Sequence, residues 1–402
     1  MPSMQDHLYP QIAEGVPVAL PTGVTPVASP RTSFASNGAS SARCSGGERE
    51  RPSKLERMSS LSNLKATMPK GLCNALARSV SSFPLRVMIV DNSGSMQTAD
   101  GARLVQDSKG KFQKLKCTRW HELQDEVIQM AEVSAALTAR TDFHLLNPSR
   151  GFSAMSVCGE EWGTGEDDAA LIPPLGPSAD VPTFKEAIKA QGPMGSTPLT
   201  EAVMKVVSMV EPVQHELRRR GEQVAVIIAT DGMPNNSRSF VNAMQTLQTL
   251  PTWVVVRLCT DDDSVVEYWN SLDAMLEAPL EVLDDVSGEA DEVYAHNPFL
   301  TYAPPLHLAR LFGIDAKVYD ALDEARLLPS QIKELVEDML GCAALPEPEL
   351  DRAQFVDAVR EALGERPTLV VDPRSGKMKP WFDLALLDRS LRPKGEQSCA
   401  IM

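Results

Sequence analysis

Val87-Met88-Ile89-Val90-Asp91-Asn92-Ser93-Gly94-Ser95 opens on four apolar residues, three of them β-branched, and then breaks into an acid, two serines and a glycine. The apolar run reads as a strand buried on both faces. In an open parallel sheet, ligands bind at the carboxyl ends of the strands. Asp91, Ser93 and Ser95 therefore leave the core as a compact set of hard oxygen donors. Hard oxygens are the ligands that Mg²⁺ or Mn²⁺ prefers. A Ser/Gly turn after a strand is common, so this stretch needs support from elsewhere in the chain.

Two later stretches supply it. Gly192-Pro193-Met194-Gly195-Ser196-Thr197-Pro198 is a loop that enters the amphipathic run Leu199 to Val210, with Pro198 placed for a first helical position. Val224-Ala225-Val226-Ile227-Ile228-Ala229-Thr230 is a second buried strand, ending in Asp231 and Gly232. Two strand-end acids and a hydroxyl on a helix-entry loop can converge above a parallel sheet. With these residues in place, the chain resembles the von Willebrand factor type A (vWA) domain family and its metal-ion-dependent adhesion site. The family order is D-x-S-x-S, then a Thr, then an Asp, matched here by Asp91, Ser93, Ser95, Thr197 and Asp231. The resemblance spans residues 84–300, with a long Ser95-to-Thr197 interval that implies insertions. It implies Mg²⁺ or Mn²⁺ held directly by Ser93, Ser95 and Thr197, with Asp91 and Asp231 acting through water. Neutral hydroxyls leave much of the metal's charge uncompensated, so a vacant position is suited to an Asp or Glu from a partner protein.

The alternation of strand and helix predicts an α/β fold, a doubly wound and mostly parallel sheet of vWA/Rossmann-like type. Arg119 to Arg140 is predicted as a helix with Leu123, Val127, Met130, Ala131, Ser134 and Leu137 on one face. Phe143 to Leu146, Ser153 to Cys158, Trp253 to Leu258 and Leu280 to Leu283 are expected strands. Phe184 to Ala190, Ser237 to Leu250 and Ser264 to Met275 are expected helices. Thr98 to Lys116 reads as a polar loop insertion, and 160–182 as a Gly-, Asp- and Pro-rich loop.

Outside the sheet pattern lie three regions. Residues 1–82, rich in Pro, Ser, Gly and Ala, are expected to be disordered. Within them Leu55, Met58, Leu61 and Leu64 recur every three residues among basic ones, as in a transient amphipathic helix or a solvated linker. Residues 301–390 read as a small helical appendage, with Leu306 to Phe312, Val318 to Leu328, Gln331 to Leu340 and Glu349 to Leu363 as its helices. Residues 391–402 read as a flexible tail. Its end, Cys399-Ala400-Ile401-Met402, fits the C-a-a-X prenylation box, with a terminal Met that favours farnesyl. One lipid gives only marginal membrane residence, so a basic second signal is expected beside it.

Composition narrows the classes. At 402 residues with 43% hydrophobic and 23% charged residues, the chain reads as a soluble globular protein. The opening MPSMQDHLYPQIAEG lacks a signal peptide's basic start and apolar core, and Pro2 excludes N-myristoylation. Seven cysteines without a C-x-x-C pair argue for a reducing compartment. Of the net charge of −15, the first 85 residues carry about +4 and the rest about −19. So acidic a body is a poor nucleic-acid binder. A calcium loop at Asp284 to Gly288 is discounted because EF-hand spacing is absent.

No base or nucleophile accompanies the acids: His121 falls at a helix start and His144 in a strand, and a phosphatase-like pattern would need an acid where Ser93 stands. The expected function is thus non-enzymatic: a cytoplasmic, peripherally membrane-anchored module that captures an acidic partner through a metal. The alternatives are a non-catalytic scaffold with a structural metal and, behind it, a metal-dependent hydrolase.

Overall fold

Strand β1 (Leu85–Val90) is buried along its whole length. That accounts for its unbroken apolar run, because both its edges and both its faces are covered. The computed structural model describes residues 68–107, 111–149, 152–159, 172–260, 262–276, 280–314, 316–365 and 367–392. Helix α1 (Lys70–Ser82) precedes β1, and the hairpin β2 (Gly101–Gln106) and β3 (Phe112–Cys117) follows it. Next come α2 (Arg119–Leu137), β4 (Thr141–Ser149), β5 (Phe152–Val157), β6 (Ser178–Ala179) and α3 (Val181–Lys189). The central crossovers are α4 (Leu199–Val210), α5 (Gln214–Arg220), β7 (Val224–Thr230), α6 (Ser237–Gln248), β8 (Thr252–Leu258), α7 (Asp263–Met275) and β9 (Glu281–Leu283). The chain continues through α8 (Val286–His296), α9 (Pro304–Phe312), α10 (Ala321–Glu324), α11 (Pro329–Leu340) and α12 (Arg352–Leu363). The hairpin β10 (Leu369–Asp372) and β11 (Lys377–Pro380) and helix α13 (Leu384–Ser390) complete it.

Seven strands form one sheet in the order β6-β5-β4-β1-β7-β8-β9. All neighbours are parallel except β4 with β5. This is the doubly wound, mostly parallel architecture expected from the alternation. The chain leaves β1 to one side through β4 and returns on its other side with β7, so the order reverses at β1. A reversal of this kind opens a crevice beyond the strand ends.

Side chains alternate across the sheet. Leu85, Val87 and Ile89 join Val224, Val226 and Ile228 in one core, which α4, α6 and α7 cover with residues such as Val203, Phe240 and Trp269. Met88, Val90, Ala225 and Ile227 face the other core. There α2 lays down the predicted stripe, with Leu123, Val127, Met130, Ala131, Ser134 and Leu137 all buried. The Thr118 side chain caps α2 by accepting from the His121 backbone N–H, and Thr138 ends it in the left-handed region at φ 51°.

The sequence reading departs from the structure in several places. Residues 70–82, assigned above to a disordered region, form α1, whose Leu72 and Leu76 are fully buried. Gly71 allows that packing, since a Cβ there would collide with the Asp338 carbonyl of α11. Thr98 to Lys116 is not a loop but the β2–β3 hairpin. Of Val318 to Leu328, only Ala321–Glu324 is helical. The helical C-terminal part packs on the sheet, as expected, and does so closely: Leu306, Phe312, Ile332, Val336, Phe355 and Trp381 belong to the same core as Met88 and Val90. Arg86 shows how tightly they are joined. Fully buried, it donates to the carbonyl oxygens of Phe312 (2.8 Å) and Phe83 (2.9 Å) and to Ser79 Oγ (2.9 Å). The Leu55–Leu64 repeat, residues 160–171 and Cys399 with its tail lie outside the described residues.

Candidate metal centre

Asp91 and Asp231 stand one residue beyond β1 and β7, at the reversal of strand order. The adjacent backbones are tied, with Asp91 N–H donating to the Ala229 carbonyl at 2.9 Å. Asp91 is fully buried; its Oδ1 accepts from the Ser93 backbone N–H at 2.7 Å and its Oδ2 from Thr230 Oγ1 at 2.6 Å. Ser93 Oγ lies 3.0 Å from Ser95 Oγ, and Ser95 Oγ donates to Asp231 Oδ1 at 2.8 Å. The turn Gly94–Gln97 is a short 3₁₀ helix that brings the two serines round to the same side. One chain of hydrogen bonds thus runs from Asp91 through Ser93 and Ser95 to Asp231.

Thr197 arrives on the loop before α4. Met194 N–H donates to the Asn92 carbonyl at 2.6 Å, and Gly94 N–H to the Gly195 carbonyl at 3.2 Å, so this loop is laced to the β1 turn. Gly195 has φ +75°, and a Cβ there would run into Asn147 Oδ1. Asn235 holds Thr197 from both sides, accepting from its N–H and donating to its carbonyl, each at 3.2 Å. The Thr197 hydroxyl oxygen lies 3.8 Å from where a Cβ on Gly232 would stand, which places it next to the residue after Asp231. Pro198, read as the first helical residue, is instead the cap preceding Leu199. The five predicted residues therefore share one crevice, four of them hydrogen-bonded in series and Thr197 set beside Gly232.

Burial raises the Asp91 carboxyl; hydrogen bonds from Thr230 and Ser93 oppose this, and the nearby Asp231 charge adds to it. Two buried carboxylates and three hydroxyls form an all-oxygen donor set with excess negative charge, which fits a hard divalent cation. Arg119, at the first position of α2, supplies the local positive charge. It donates from Nη1 to Asp231 Oδ2 at 3.0 Å and from Nε to Asp100 Oδ1 at 2.7 Å. The sequence reading passed over Arg119, and over Thr230 and Asn235 as supports. Thr230 left a signal, being a hydroxyl at the end of an otherwise apolar strand just before the acid. Arg119 left none, because its partners lie 19 and 112 positions away.

A second acidic group lies elsewhere. Among the described residues, Glu289, Glu292 and Asp323 can bring carboxylate oxygens to a common point able to hold a metal ion. That group is already served by buried Arg310, which donates to Glu289 at 2.7 Å and to Asp323 at 3.1 Å. Asp285, in the discounted calcium loop, instead caps α8 by accepting from the Ser287 and Gly288 N–H groups. Of the histidines, His121 Nδ1 pairs with Thr118 Oγ1 at 2.9 Å, and burial with nearby Lys205 pushes His144 down to about 4.

Among the described residues, no helix is long and apolar enough to cross a membrane. No family model matches the chain, and no curated protein matches it. One similar solved structure is the crystal structure of manganese-loaded Plasmodium vivax TRAP protein, at 13% identity and a TM-score of 0.29, covering 51% of this chain and 69% of that one. A likeness of that degree bears no weight, and the fold stands on its own strand order and register.

Proposed function

We propose that the crevice above β1 and β7 binds Mg²⁺ or Mn²⁺ and, through it, a carboxylate offered by a partner protein. One observation carries the reading: Asp91, Ser93, Ser95 and Asp231, from strands far apart in sequence, form one hydrogen-bonded series, with Thr197 at its side. Ser93, Ser95 and Thr197 would hold the ion, and Asp91 and Asp231 would balance its charge. The ion would offer a Lewis-acidic position to an Asp or Glu. The role is binding rather than catalysis, since both acids are already engaged, Asp91 by Thr230 and the Ser93 N–H and Asp231 by Ser95 and Arg119. Calorimetric titration with Mn²⁺ tests the first half. A cation at a hundred times its Kd stabilises the fold by about 2.7 kcal/mol, and Asp91→Ala should abolish that gain. Capture of partners in Mg²⁺ or chelator tests the second: an unchanged set of captured proteins sinks the bridge.

A scaffold reading, in which a metal at the site only steadies the fold, is favoured by a different observation, the Arg119–Asp231 ion pair, which already offsets part of the crevice's negative charge. Under it the captured set survives chelation. Attachment to a cytoplasmic membrane face by farnesyl on Cys399 completes the proposal, resting on the C-a-a-X residues alone. Mass spectrometry of the chain from a prenylating host checks it, and an unmodified Cys399 refutes it.

A further inference from the structure

Two hairpins stand outside the seven-stranded sheet, and each turns its second strand to solvent. Strand β2 rests on α2, where the Ala102 N–H donates to Glu122 Oε2 at 2.8 Å and Arg103 pairs with Asp125. That leaves β3 outermost, with Gln113, Lys114, Leu115 and Lys116 all exposed. In the other hairpin β10 buries Val370 and Asp372, while β11 exposes Lys377 and Met378. The hairpins meet at the starts of these outer strands: a Cβ on Gly376, which has φ +65°, would come within 2.8 Å of the Phe112 carbonyl oxygen. Lys114-Leu115-Lys116 begins two residues beyond that contact on one strand, and Lys377-Met378-Lys379 one residue beyond it on the other.

Charge and apolar surface both concentrate at this junction. Residues 101–117 hold five Lys or Arg and one Asp, and residues 369–380 hold three and one, a net charge of +6. The whole chain is at −15, so the remainder carries −21. Among the described residues, Lys114, Lys116 and Lys377 enter no ion pair, whereas Lys379 is held by Asp372 at 2.7 Å. Of the eleven large apolar side chains that the described residues leave exposed, four lie on these hairpins: Val105, Leu115, Leu369 and Met378. Leu115 is 50% exposed and Met378 47%. Single exposed apolar residues are ordinary, but a group of them among unpaired lysines marks a contact surface.

We propose that this junction lies against an anionic lipid bilayer, with the lysines at the headgroups and Leu115 and Met378 set into the boundary beneath them. Charge complementarity selects the partner. The acidic body repels an anionic surface, and the net +6 here turns repulsion into attraction at one place, which also fixes the orientation. The apolar side chains separate a bilayer from other polyanions. A phosphate backbone or an acidic peptide would use the lysines and leave Leu115 and Met378 without a partner. A bilayer takes both, because lysine stems lie along apolar surface while their charged heads stay in water. Strand β3 has no neighbour on its outer edge, so it can meet the surface edge-on, with both lysines to one side and Leu115 to the other. The proposal uses no donor of the metal centre and no lipid on Cys399, so it stands or falls separately from both.

The test uses the full chain carrying Cys399→Ser, so that no prenyl group contributes, and co-sedimentation with vesicles of phosphatidylcholine, alone or with one third phosphatidylserine. Saturable binding is expected to the phosphatidylserine vesicles only, and it should fall away in about 0.5 M salt, which screens exposed charges. At about fivefold per lysine near an anionic surface, the triple variant Lys114→Ala, Lys116→Ala, Lys377→Ala should bind on the order of a hundredfold more weakly. Its circular dichroism should match the parent's, because these side chains are exposed and unpaired. Leu115→Ser combined with Met378→Ser should weaken binding by about tenfold or more with the charge intact. No binding to phosphatidylserine vesicles, equal binding to neutral ones, or a lysine variant that binds like the parent overturns the proposal. A serine variant that binds like the parent does so too, since the surface would then answer to charge alone. Binding of a DNA duplex or polyglutamate through these lysines, without vesicle binding, assigns the surface to another polyanion and overturns it. A lysine-dependent dimer in sedimentation velocity, again without vesicle binding, assigns it to a second acidic copy of the chain and overturns it equally.

Discussion

Arg86→Met puts the unity of the fold to its hardest test. Arg86 sits on β1, yet its partners are on the α1 side, at Ser79 and Phe83, and at the end of α9, Phe312. Its guanidinium also stacks over the Phe312 ring at 3.9 Å. Two effects oppose each other. Burial of a charge without a carboxylate partner pushes its pKa down from 12.5 to about 9, a cost of about 5 kcal/mol at ~1.4 kcal/mol per unit. Against that, three hydrogen bonds from a charged donor contribute ~1.5–3 kcal/mol each, and the ring contact adds about 1–2 kcal/mol. At the lower ends of these ranges the two sums nearly cancel, so what the substitution leaves behind decides the sign. Methionine removes the charge and its cost, but strands the Phe83 and Phe312 carbonyls in a dry core at ~1–3 kcal/mol each. The expected loss is about 2–4 kcal/mol, with Arg86→Lys in between, because one ammonium cannot span three acceptors. Urea unfolding is followed by far-UV circular dichroism and by tryptophan fluorescence; Trp253 packs against Phe83 at 5.4 Å and Trp381 reports the C-terminal helices. Both signals should move to lower urea together. A loss below ~1 kcal/mol, or a C-terminal signal that melts alone, refutes the account of one cooperative core.

At the candidate metal centre, Arg119→Ala removes a positive charge bound to Asp231. With a unit charge ~5 Å away and an effective dielectric near ~20, repulsion is about 3 kcal/mol per cation charge before screening. Mn²⁺ affinity should therefore rise about tenfold or more by calorimetry; an unchanged Kd means that Arg119 does not compete for the site. Gly195→Ala forces a left-handed φ and a clash with Asn147, costing ~1–3 kcal/mol; thermal melting and Mn²⁺ titration should both show a loss, and an unaffected Kd would detach the loop from the site. His144 has a folded pKa of about 4, below its unfolded value of 6.5, because of burial and then Lys205. The folded state therefore resists taking up the proton. This contribution is full above pH 6.5 and lost as pH falls from there toward 4, by up to ~1–3 kcal/mol after allowance for partial exposure. His144→Gln should flatten that part of the pH–stability curve; identical slopes for both proteins would contradict the assignment.

What the sequence made legible follows from what kind of information each element carries. The strand-end acids could be read because a buried parallel strand leaves an apolar run that stops sharply, and the stop marks the crevice. The helix α2 could be read because its stripe recurs at helical spacing for about four turns. The hairpin of β2 and β3 was opaque for the opposite reason. Its exposed face carries Lys114 and Lys116, while Gly101 to Gln106 alternates too weakly to show a buried side. What holds it is tertiary: Ala102 N–H donates to Glu122 Oε2 at 2.8 Å, and Arg103 Nε to Asp125 Oδ2 at 2.5 Å.

The same distinction separates the ends of the chain from its middle. Short amphipathic helices such as α9 and α11 announce that they bury a face but not against what. Nothing in a Pro/Gly-divided run shows that Leu306 and Val336 share a core with Met88. Likewise Lys70 to Ser82 follows a Ser/Pro-rich stretch whose composition argues against order. Its own Leu72 and Leu76 are too few to form a core alone, and they become a helix only because α11 and β1 lie beside them. The one residue that would have betrayed the arrangement is Arg86, a cation inside a strand otherwise made of Leu, Val, Met and Ile. A charge in so apolar a run has to find acceptors outside its own sheet, since every strand carbonyl beside it is already engaged in the ladder. Those acceptors are contributed by the segments before and after the sheet. The cation in β1 is thus the sequence-level sign that α1 and α9 close over it, just as the acids after β1 and β7 are the sign of a crevice.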